Sequence, residues 1–346
     1  MFTAARELID KAVADRVFPA AVVEVGDATE PRWREAFGRL TFGPAARAAS
    51  EETIFDLGSL TKVLSTTPLI MQQVERGVLG LDDPVSQHVD GWRGADRIHV
   101  SIRDLLSHAA GLTAYVPFFR GHRGRAGFER AICDTPLEYP PRSKSIYSDL
   151  GFILLGFMLD DRTPLTDGFA AMLTQMGIVE HLQFDPPTLW NARTAPTEID
   201  PWRGRLLVGE VHDENAWALG GVAGHAGLFG TATAVGAYAR HLLQVLDGRI
   251  GAFRRETLET FIAKRGDIPG SSRALGWDTM LPTSSCGTRI SPRAFGHTGF
   301  TGTSLWIDPD RGIYVVLLSN RVHPTRANDA IKRVRPAVHD AIVSEL

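Results

Sequence analysis

The chain has 346 residues, of which 44% are hydrophobic and 22% charged, and its formal net charge is −3. This composition is typical of a soluble globular protein with a deep core, and it disfavours disorder, collagen and coiled coils. The slight negative charge gives no electrostatic basis for binding nucleic acid or an anionic membrane, so we expect neither as a partner.

The start of the chain predicts no export signal. Glu7 and Asp10 lie where a signal peptide needs a basic region followed by an uninterrupted apolar stretch. Cys133 and Cys286 are far apart and form no CxxC pair, which disfavours a disulfide framework and a thiolate zinc site. We therefore expect a cytoplasmic protein in a reducing compartment.

The two ends of the chain carry similar signals. Residues 4–17 have the apolar spacing of a helix, and residues 20–25 have the composition of a strand. Near the other end, residues 304–307 and 313–318 predict a hairpin, and residues 327–343 a final helix. Both ends can therefore contribute to one sheet, and the middle of the chain, which is richer in helical signals, becomes an insertion.

The first motif with chemical potential is SLTK (59–62), at the start of a predicted helix. Residues i and i+3 share a helix face, so the Ser59 hydroxyl and the Lys62 ammonium can meet. A serine that attacks a carbonyl needs such a neighbour, and a helix N-terminus offers N–H groups to the oxyanion. Alone, Ser59 also fits a simple helix cap, and Pro68 predicts a kink in the same helix.

A second motif is YSD (147–149), just before the apolar segment 150–159. A tyrosine held near a lysine loses its proton more readily and can act as a general base. In isolation the motif fits a half-buried structural Tyr147 followed by Asp149 as the N-cap of a helix. The two interpretations are compatible.

A third motif is GHTGFTG (296–302), directly before the predicted strand 304–307. Glycines at a strand edge let a ligand approach the backbone, and free N–H groups there can bind a substrate carbonyl. By itself the motif fits a Gly-rich turn into a hairpin better.

A histidine-containing region lies earlier in the chain, in the segments GEVHDENA (209–216) and GGVAGHAG (220–227). His212, Asp213 and His225 could be metal ligands, but their spacing matches no common zinc pattern, and HExxH is absent. We interpret the region as a structural or cleft-lining loop and expect no metal ion.

In this order the motifs resemble those of the serine β-lactamase and penicillin-binding protein superfamily, and within it the class C β-lactamase-like hydrolases and esterases. The resemblance covers nearly the whole chain. It rests on the segments FDLGS (55–59), IRDLLSH (102–108), YSDLGF (147–152) and GFTG (299–302).

The resemblance implies an acyl-enzyme mechanism without a cofactor, in which Ser59 is the nucleophile and Lys62 and Tyr147 handle the proton. The implied oxyanion hole is formed by the N–H groups of Ser59 and Phe300, and the implied substrate-binding residues are Asp149, His297, Thr298 and Gly299.

The implied fold belongs to the α+β class and is β-lactamase/transpeptidase-like. It has an antiparallel sheet flanked by N- and C-terminal helices and an inserted, mainly helical domain. We predict that residues 1–58 and 273–346 form the sheet domain and residues 59–272 the inserted domain, with the active-site cleft between them.

Two departures from the family pattern bear on the substrate. His297 stands where β-lactamases of this type usually carry a lysine, and Asp149 where they usually carry an asparagine. A neutral imidazole cannot anchor a substrate carboxylate as a lysine does, and Asp149 would repel one while keeping Lys62 protonated. Both changes favour neutral substrates.

The sequence thus predicts a serine hydrolase that cleaves carboxylic esters or small amides through an acyl-enzyme on Ser59. The nearest enzymatic alternative is a D-alanyl-D-alanine carboxypeptidase or a β-lactamase. A catalytically silent ligand-binding module of the same fold is an alternative from another class, which the intact Ser59, Lys62 and Tyr147 set disfavours. The expected partner is a small-molecule ester or amide, and nothing in the sequence indicates the oligomeric state.

Overall fold

The computed structural model describes residues 2–179 and 181–346. In this part of the chain the helices are α1 (Thr3–Ala14), α2 (Thr67–Glu75), α3 (Ile102–Leu106), α4 (Gly124–Asp134), α5 (Asp149–Asp160), α6 (Leu165–Met176), α7 (Glu214–Ala218), α8 (Ala232–Leu246), α9 (Arg255–Ile262) and α10 (Ile331–Ser344). The strands are β1 (Ala20–Asp27), β2 (Pro31–Gly38), β3 (Phe55–Asp56), β4 (Leu182–Phe184), β5 (Ile199–Asp200), β6 (Arg205–Leu206), β7 (Leu228–Gly230), β8 (Asp278–Thr279), β9 (Phe295–Thr298), β10 (Ser304–Asp308) and β11 (Ile313–Ser319).

The main sheet joins the two ends of the chain. Within the described residues it has six antiparallel strands in the order β2-β1-β11-β10-β9-β8. In the pair formed by β1 and β11, Ala21 lies opposite Ser319 and Val25 opposite Val315. The sheet and its flanking helices confirm the predicted α+β fold.

Both faces of this sheet are covered by helices, and alternate side chains of β11 point to opposite faces. Val315 and Leu317 pack in the core formed with α1 and α10. Tyr314 and Val316 pack in the larger core, which includes α8. Because both faces are covered, every residue of β11 is buried and the strand reads as a continuous apolar run.

The residues between the two parts of the sheet are mainly helical and build the larger core around α5. All residues from 150 to 159 in α5 are buried, so this helix is apolar on every side. Helix α8 lies inside the predicted insertion, yet it packs on β1 and β11. The domain boundaries at 58/59 and 272/273 stay a prediction. Within the described residues, no helix is both long and apolar enough to cross a membrane.

Candidate active site

Ser59 lies in a tight turn between β3 and the helix that leads into α2. Gly58 precedes it with a φ of +52°, a conformation that favours glycine. A Cβ added to Gly58 would lie 3.3 Å from the Phe300 backbone nitrogen. The turn that carries Ser59 therefore packs directly against the GFTG segment, and a side chain at position 58 would be both strained and crowded.

The helix after Ser59 is not regular. Lys62–Thr66 is a π-helical segment, and α2 begins directly after it with Pro68 in its first turn. Proline lacks an N–H and crowds the carbonyl four residues earlier, so a wider turn ahead of it removes the conflict. The irregularity predicted at Pro68 is thus a π-helical turn, and Lys62 is its first residue.

The Lys62 ammonium is completely buried and has three hydrogen-bond acceptors. It lies 3.0 Å from Ser59 Oγ, 2.7 Å from Asp149 Oδ1 and 3.1 Å from the His225 carbonyl oxygen. Burial alone would lower the pKa of Lys62, but the Asp149 carboxylate beside it, followed by Tyr147, outweighs burial and the pKa is raised. Lys62 is therefore a cation in this state, as the sequence predicts for a lysine beside Asp149.

Asp149 does not have the local role that its position suggests. The N-cap of α5 is Ser148, and Asp149 is the first residue of the helix. The expectation that Asp149 caps this helix is wrong, because its carboxylate turns to Lys62 instead. The fully buried Lys62 ammonium needs an opposite charge, and Asp149 supplies it.

Tyr147 lies beside the same ammonium, with Lys62 Nζ 4.9 Å from the ring centroid. Its hydroxyl is buried and faces Lys62 and Ser59, but it has no hydrogen bond of normal geometry to the described residues. Burial raises the pKa of Tyr147 by more than Lys62 lowers it. Tyr147 is therefore a neutral phenol in this state. The expectation that a nearby lysine makes it lose its proton more readily is not met here, because the pKa is raised.

Two buried imidazoles flank the Tyr147 ring, His108 at 4.6 Å and His297 at 5.6 Å between centroids. Burial and the nearby charge of Arg273 hold the pKa of both histidines well below the usual range. Both rings are neutral near pH 7, as the sequence predicts for His297. His108 also fixes the Tyr147 loop, because its Nδ1 accepts a hydrogen bond from the Ser148 N–H at 3.1 Å.

The segment after β9 closes the site from the sheet side. The Thr301 hydroxyl donates to the Asp56 carbonyl and the Thr303 hydroxyl to the Leu57 carbonyl, each at 2.8 Å. These two bonds tie the segment to the residues just before Ser59. The Phe300 N–H is thereby held at the start of the Ser59 helix, where the resemblance places an oxyanion hole.

Two cavities meet at Ser59 and Tyr147, which line both, and they differ in charge. The first, about 410 Å³, is bordered by His297, Thr298 and Gly299. Its charged lining residues in the described chain are Arg273, Arg321, Arg326, Lys332 and Arg335, with Asp278 and Asp329. The second, about 320 Å³, is lined by the acidic residues Asp56, Asp149, Asp213 and Glu214, with Arg326 as the cation.

His212 and Asp213 line the second cavity, which agrees with the cleft-lining interpretation of their loop. His212 bonds Glu198 at 3.0 Å, and Asp213 bonds His225 at 2.9 Å. Burial alone would raise the pKa of Asp213, but His225 lowers it below the usual range. The described residues hold no group of three or more His, Cys, Asp and Glu side chains that could bind a metal.

The cations of the first cavity were not found from the sequence. Arg335 did leave a signal, because it occupies a buried position of α10 together with Ile331, Val338 and Ile342. A charged residue within an apolar helix stripe marks a buried charge. Arg273 lies in irregular chain, where no periodicity would reveal it.

This chain is similar to known proteins over most of its length. A family model described as Beta-lactamase matches residues 5–339. Relatives from Salmonella gallinarum and Salmonella typhi, both named "Putative D-alanyl-D-alanine carboxypeptidase", are 31% identical over 324 residues, covering 82% of this chain and 73% of each relative. The protein is a hydrolase of the serine β-lactamase type. The chain belongs to the Beta-lactamase family.

Solved structures show the same fold at low sequence identity. EstCE1, described as a hydrolase with promiscuous acyltransferase activity, is 20% identical with a TM-score of 0.78, covering 98% of this chain and 97% of that one. A structure described as a class C beta lactamase is 18% identical with a TM-score of 0.77, covering 99% and 97%. These likenesses confirm the β-lactamase/transpeptidase-like architecture.

Proposed function

We propose that this protein hydrolyses carboxylic esters or small amides through an acyl-enzyme on Ser59. The observation that carries the proposal is the 3.0 Å contact between Lys62 Nζ and Ser59 Oγ at the junction of the two cavities. A nucleophile needs a neighbouring group to take its proton, and Lys62 is placed to do so once it has lost a proton of its own. The Phe300 N–H at the same place supports a role in binding the oxyanion.

In the acylation step, Ser59 Oγ bonds to the substrate carbonyl carbon, and its proton passes to the unit formed by Lys62 and Tyr147. The carbonyl oxygen becomes an oxyanion that accepts hydrogen bonds from the N–H groups of Ser59 and Phe300. The bond to the leaving group then breaks, and the leaving group takes the proton from the Lys62–Tyr147 unit. The products of this step are the Ser59 ester and a free alcohol or amine.

In the deacylation step, water attacks the Ser59 ester and gives a proton to the same unit. A second oxyanion forms in the same hole, the ester bond breaks, and Ser59 Oγ recovers a proton. Because Lys62 and Tyr147 are both protonated in the state described, the unit must first lose one proton. The rate is therefore expected to rise with pH.

Two groups support a neutral substrate. His297, at the rim of the first cavity, is uncharged because burial lowers its pKa, so it offers no cation to a carboxylate. Asp149, in the second cavity, would repel an anion placed there. Short-chain esters and small amides fit both conditions.

A carboxylate-bearing substrate is the second candidate, and the cationic lining of the first cavity favours it. Within the described residues, Arg321 and Arg335 bond backbone carbonyls and make no ion pair with a carboxylate, so their positive charges stay uncompensated beside this cavity. The carboxypeptidase name of the Salmonella relatives points the same way. Substrate choice would then be set by these arginines and not by His297.

The test is labelling with a fluorophosphonate, followed by intact mass and peptide mapping, with Ser59→Ala as the control. One phosphonyl adduct on Ser59, absent from the variant, supports the acyl-enzyme. Absence of labelling would instead favour the alternative that the protein is a catalytically silent ligand-binding module. A panel of p-nitrophenyl esters, nitrocefin and D-alanyl-D-alanine peptides then separates the two substrate classes by kcat/KM.

A further inference from the structure

Arg335 is a buried charge that the proposed mechanism does not use. It lies in α10 with 7% of its surface exposed, among apolar neighbours of the same helix. Within the described residues no carboxylate lies at ion-pair distance from it, and its Nε has no hydrogen-bond partner. An unpaired buried charge destabilises a fold, so its presence calls for a compensating role.

Its contacts are backbone carbonyls of the GFTG segment. Arg335 Nη2 donates to the Thr303 carbonyl at 3.1 Å and lies 3.5 Å from the Gly299 carbonyl oxygen. The Thr303 carbonyl also accepts from the Gly299 N–H at 2.7 Å. Arg335 therefore closes the turn from Gly299 to Thr303. Burial, followed by repulsion from Arg321, lowers the pKa of Arg335 to about 10, so it is still a cation at neutral pH.

The Gly299 carbonyl belongs to the same peptide group as the Phe300 N–H. A cation near that carbonyl oxygen draws electron density towards it and makes the N–H a stronger donor, because hydrogen bonds in a chain polarise one another. Arg321 holds the next peptide, since its Nε donates to the Phe300 carbonyl at 2.7 Å and its guanidinium lies 4.2 Å from the Phe300 ring. Both peptide groups of Phe300 are thus held by arginines.

We propose that Arg335, supported by Arg321, is a positioning residue that orients and polarises the Gly299–Phe300 peptide group for the transition state. This inference rests on the proposed function, because it gives the Phe300 N–H an oxyanion to bind. The role differs from that of a substrate anchor, because Arg335 would act on every substrate through the peptide. It also differs from simple support of the fold, because the effect is confined to states that carry an oxyanion.

The experiment compares Arg335→Met and Arg335→Lys with Arg333→Met, which removes one cation from the exposed side of the same helix. The concentration of active sites is first measured by titrating a separate aliquot of each variant to completion with the fluorophosphonate, so that rates refer to folded enzyme only. Acylation and deacylation rate constants are then measured in single turnovers with a neutral ester and with a carboxylate-bearing ester of the same leaving group.

We expect Arg335→Met to lower both rate constants by about 10-fold to 100-fold for both esters, somewhat less than loss of a whole oxyanion donor. KM for acylation should change little, since the ground-state carbonyl carries no full charge. Arg335→Lys should recover part of the loss, because the charge remains while the two-carbonyl geometry does not. Arg333→Met should match the parent.

Other outcomes overturn the proposal in distinct ways. A loss confined to KM for the carboxylate-bearing ester would make Arg335 a substrate anchor. Fewer titratable sites with unchanged rate constants would make it purely structural. If Arg335→Met yields no folded protein, Arg335→Lys and Arg321→Lys decide, and parental rate constants in both would contradict the proposal. A parent that does not label at Ser59 would instead refute the proposed function itself.

Discussion

Buried cations have different partners on the two sides of the cleft. We call the side with Lys62, Tyr147 and Asp149 the helical side, and the side with Arg321 and Arg335 the sheet side. On the helical side, Lys62 is paired with the Asp149 carboxylate at 2.7 Å. On the sheet side, Arg321 and Arg335 bond only backbone carbonyls in the described chain. The Lys62–Asp149 pair has no net charge in this state, whereas the unpaired guanidinium groups leave a positive potential. In the proposed mechanism, the paired cation thus lies where protons would be transferred, and the excess positive charge lies where the oxyanion would form.

The largest effect should come from Ser59, on which both sides act. Ser59→Ala should lower ester hydrolysis by about four orders of magnitude or more, because no other group in the proposal carries the acyl chain. The Tm should stay within a few degrees, since Ser59 is at the surface of the cleft. Esterase activity equal to that of the parent would refute the assignment.

The helical side should behave as a single unit. Tyr147→Phe and Lys62→Met should each lower kcat by about 10³-fold, and the double variant should be little worse than either, because groups that act together are not additive. Lys62→Met leaves the Asp149 carboxylate unpaired, so Lys62→Met with Asp149→Asn is the matched control for charge. Losses that multiply in the Tyr147 and Lys62 double variant would indicate independent roles.

The helical side was also the part of the site that the sequence could predict. Ser59 and Lys62 meet because residues three apart share a helix face, which needs no tertiary information. The contact between Lys62 and the His225 carbonyl spans 163 residues and uses a backbone atom, so no side-chain pattern encodes it. The sheet side depends on such contacts throughout, and the roles of its carbonyls become visible only in the structure.

The fold shows the same division between local and distant information. Strand β11 is a buried apolar run after a strong turn, so it was predicted nearly to its ends. Strand β2 was missed, because its burial is limited to Trp33 and Phe37, four residues apart, and an alternating strand pattern is absent. Its pairing with β1 is what defines it.

Acid should destabilise the sheet side through a buried histidine of α10. His339 follows Arg335 by one turn of α10, and both ring nitrogens are buried without a partner among the described residues. Burial lowers its pKa to about 3. The unfolded chain binds the proton near pH 6.5, so stability is present above that pH and is lost as the pH falls towards 3.

The expected loss from His339 is about 2 kcal/mol in the free energy of unfolding between pH 7 and pH 5. His339→Leu should reduce the pH dependence by that amount in urea titrations. His122→Leu, which replaces an exposed histidine, should leave the dependence unchanged. An equal slope in the parent and His339→Leu would show that the ring binds its proton as readily in the folded protein as in the unfolded chain.

A smaller effect concerns the pH dependence of activity on the helical side. Asp149 raises the pKa of Lys62, and the active state has one proton fewer, so kcat/KM rises as the pH passes the pKa of the unit. Asp149→Asn removes that charge and should move the rise to lower pH by about one unit. Glu214→Gln, in the same cavity but without contact to Lys62, should not move it. A shift to higher pH would mean that Asp149 itself is the base.

The smallest expected effect tests whether the charges of the two cavities set substrate choice. The double change His297→Lys with Asp149→Asn adds a cation to the first cavity and removes an anion from the second. Because Arg273 and Arg321 already line the first cavity, the added cation acts on a site that is positive before the change. We expect the ratio of kcat/KM for nitrocefin to that for a neutral butyrate ester to rise only about threefold at low salt. The rise should shrink at high salt, because part of the attraction is screened.

A tenfold or larger rise that persists at high salt would mean that position 297 contacts the carboxylate directly. An unchanged ratio at both salt concentrations would assign substrate choice to the shape of the cavities.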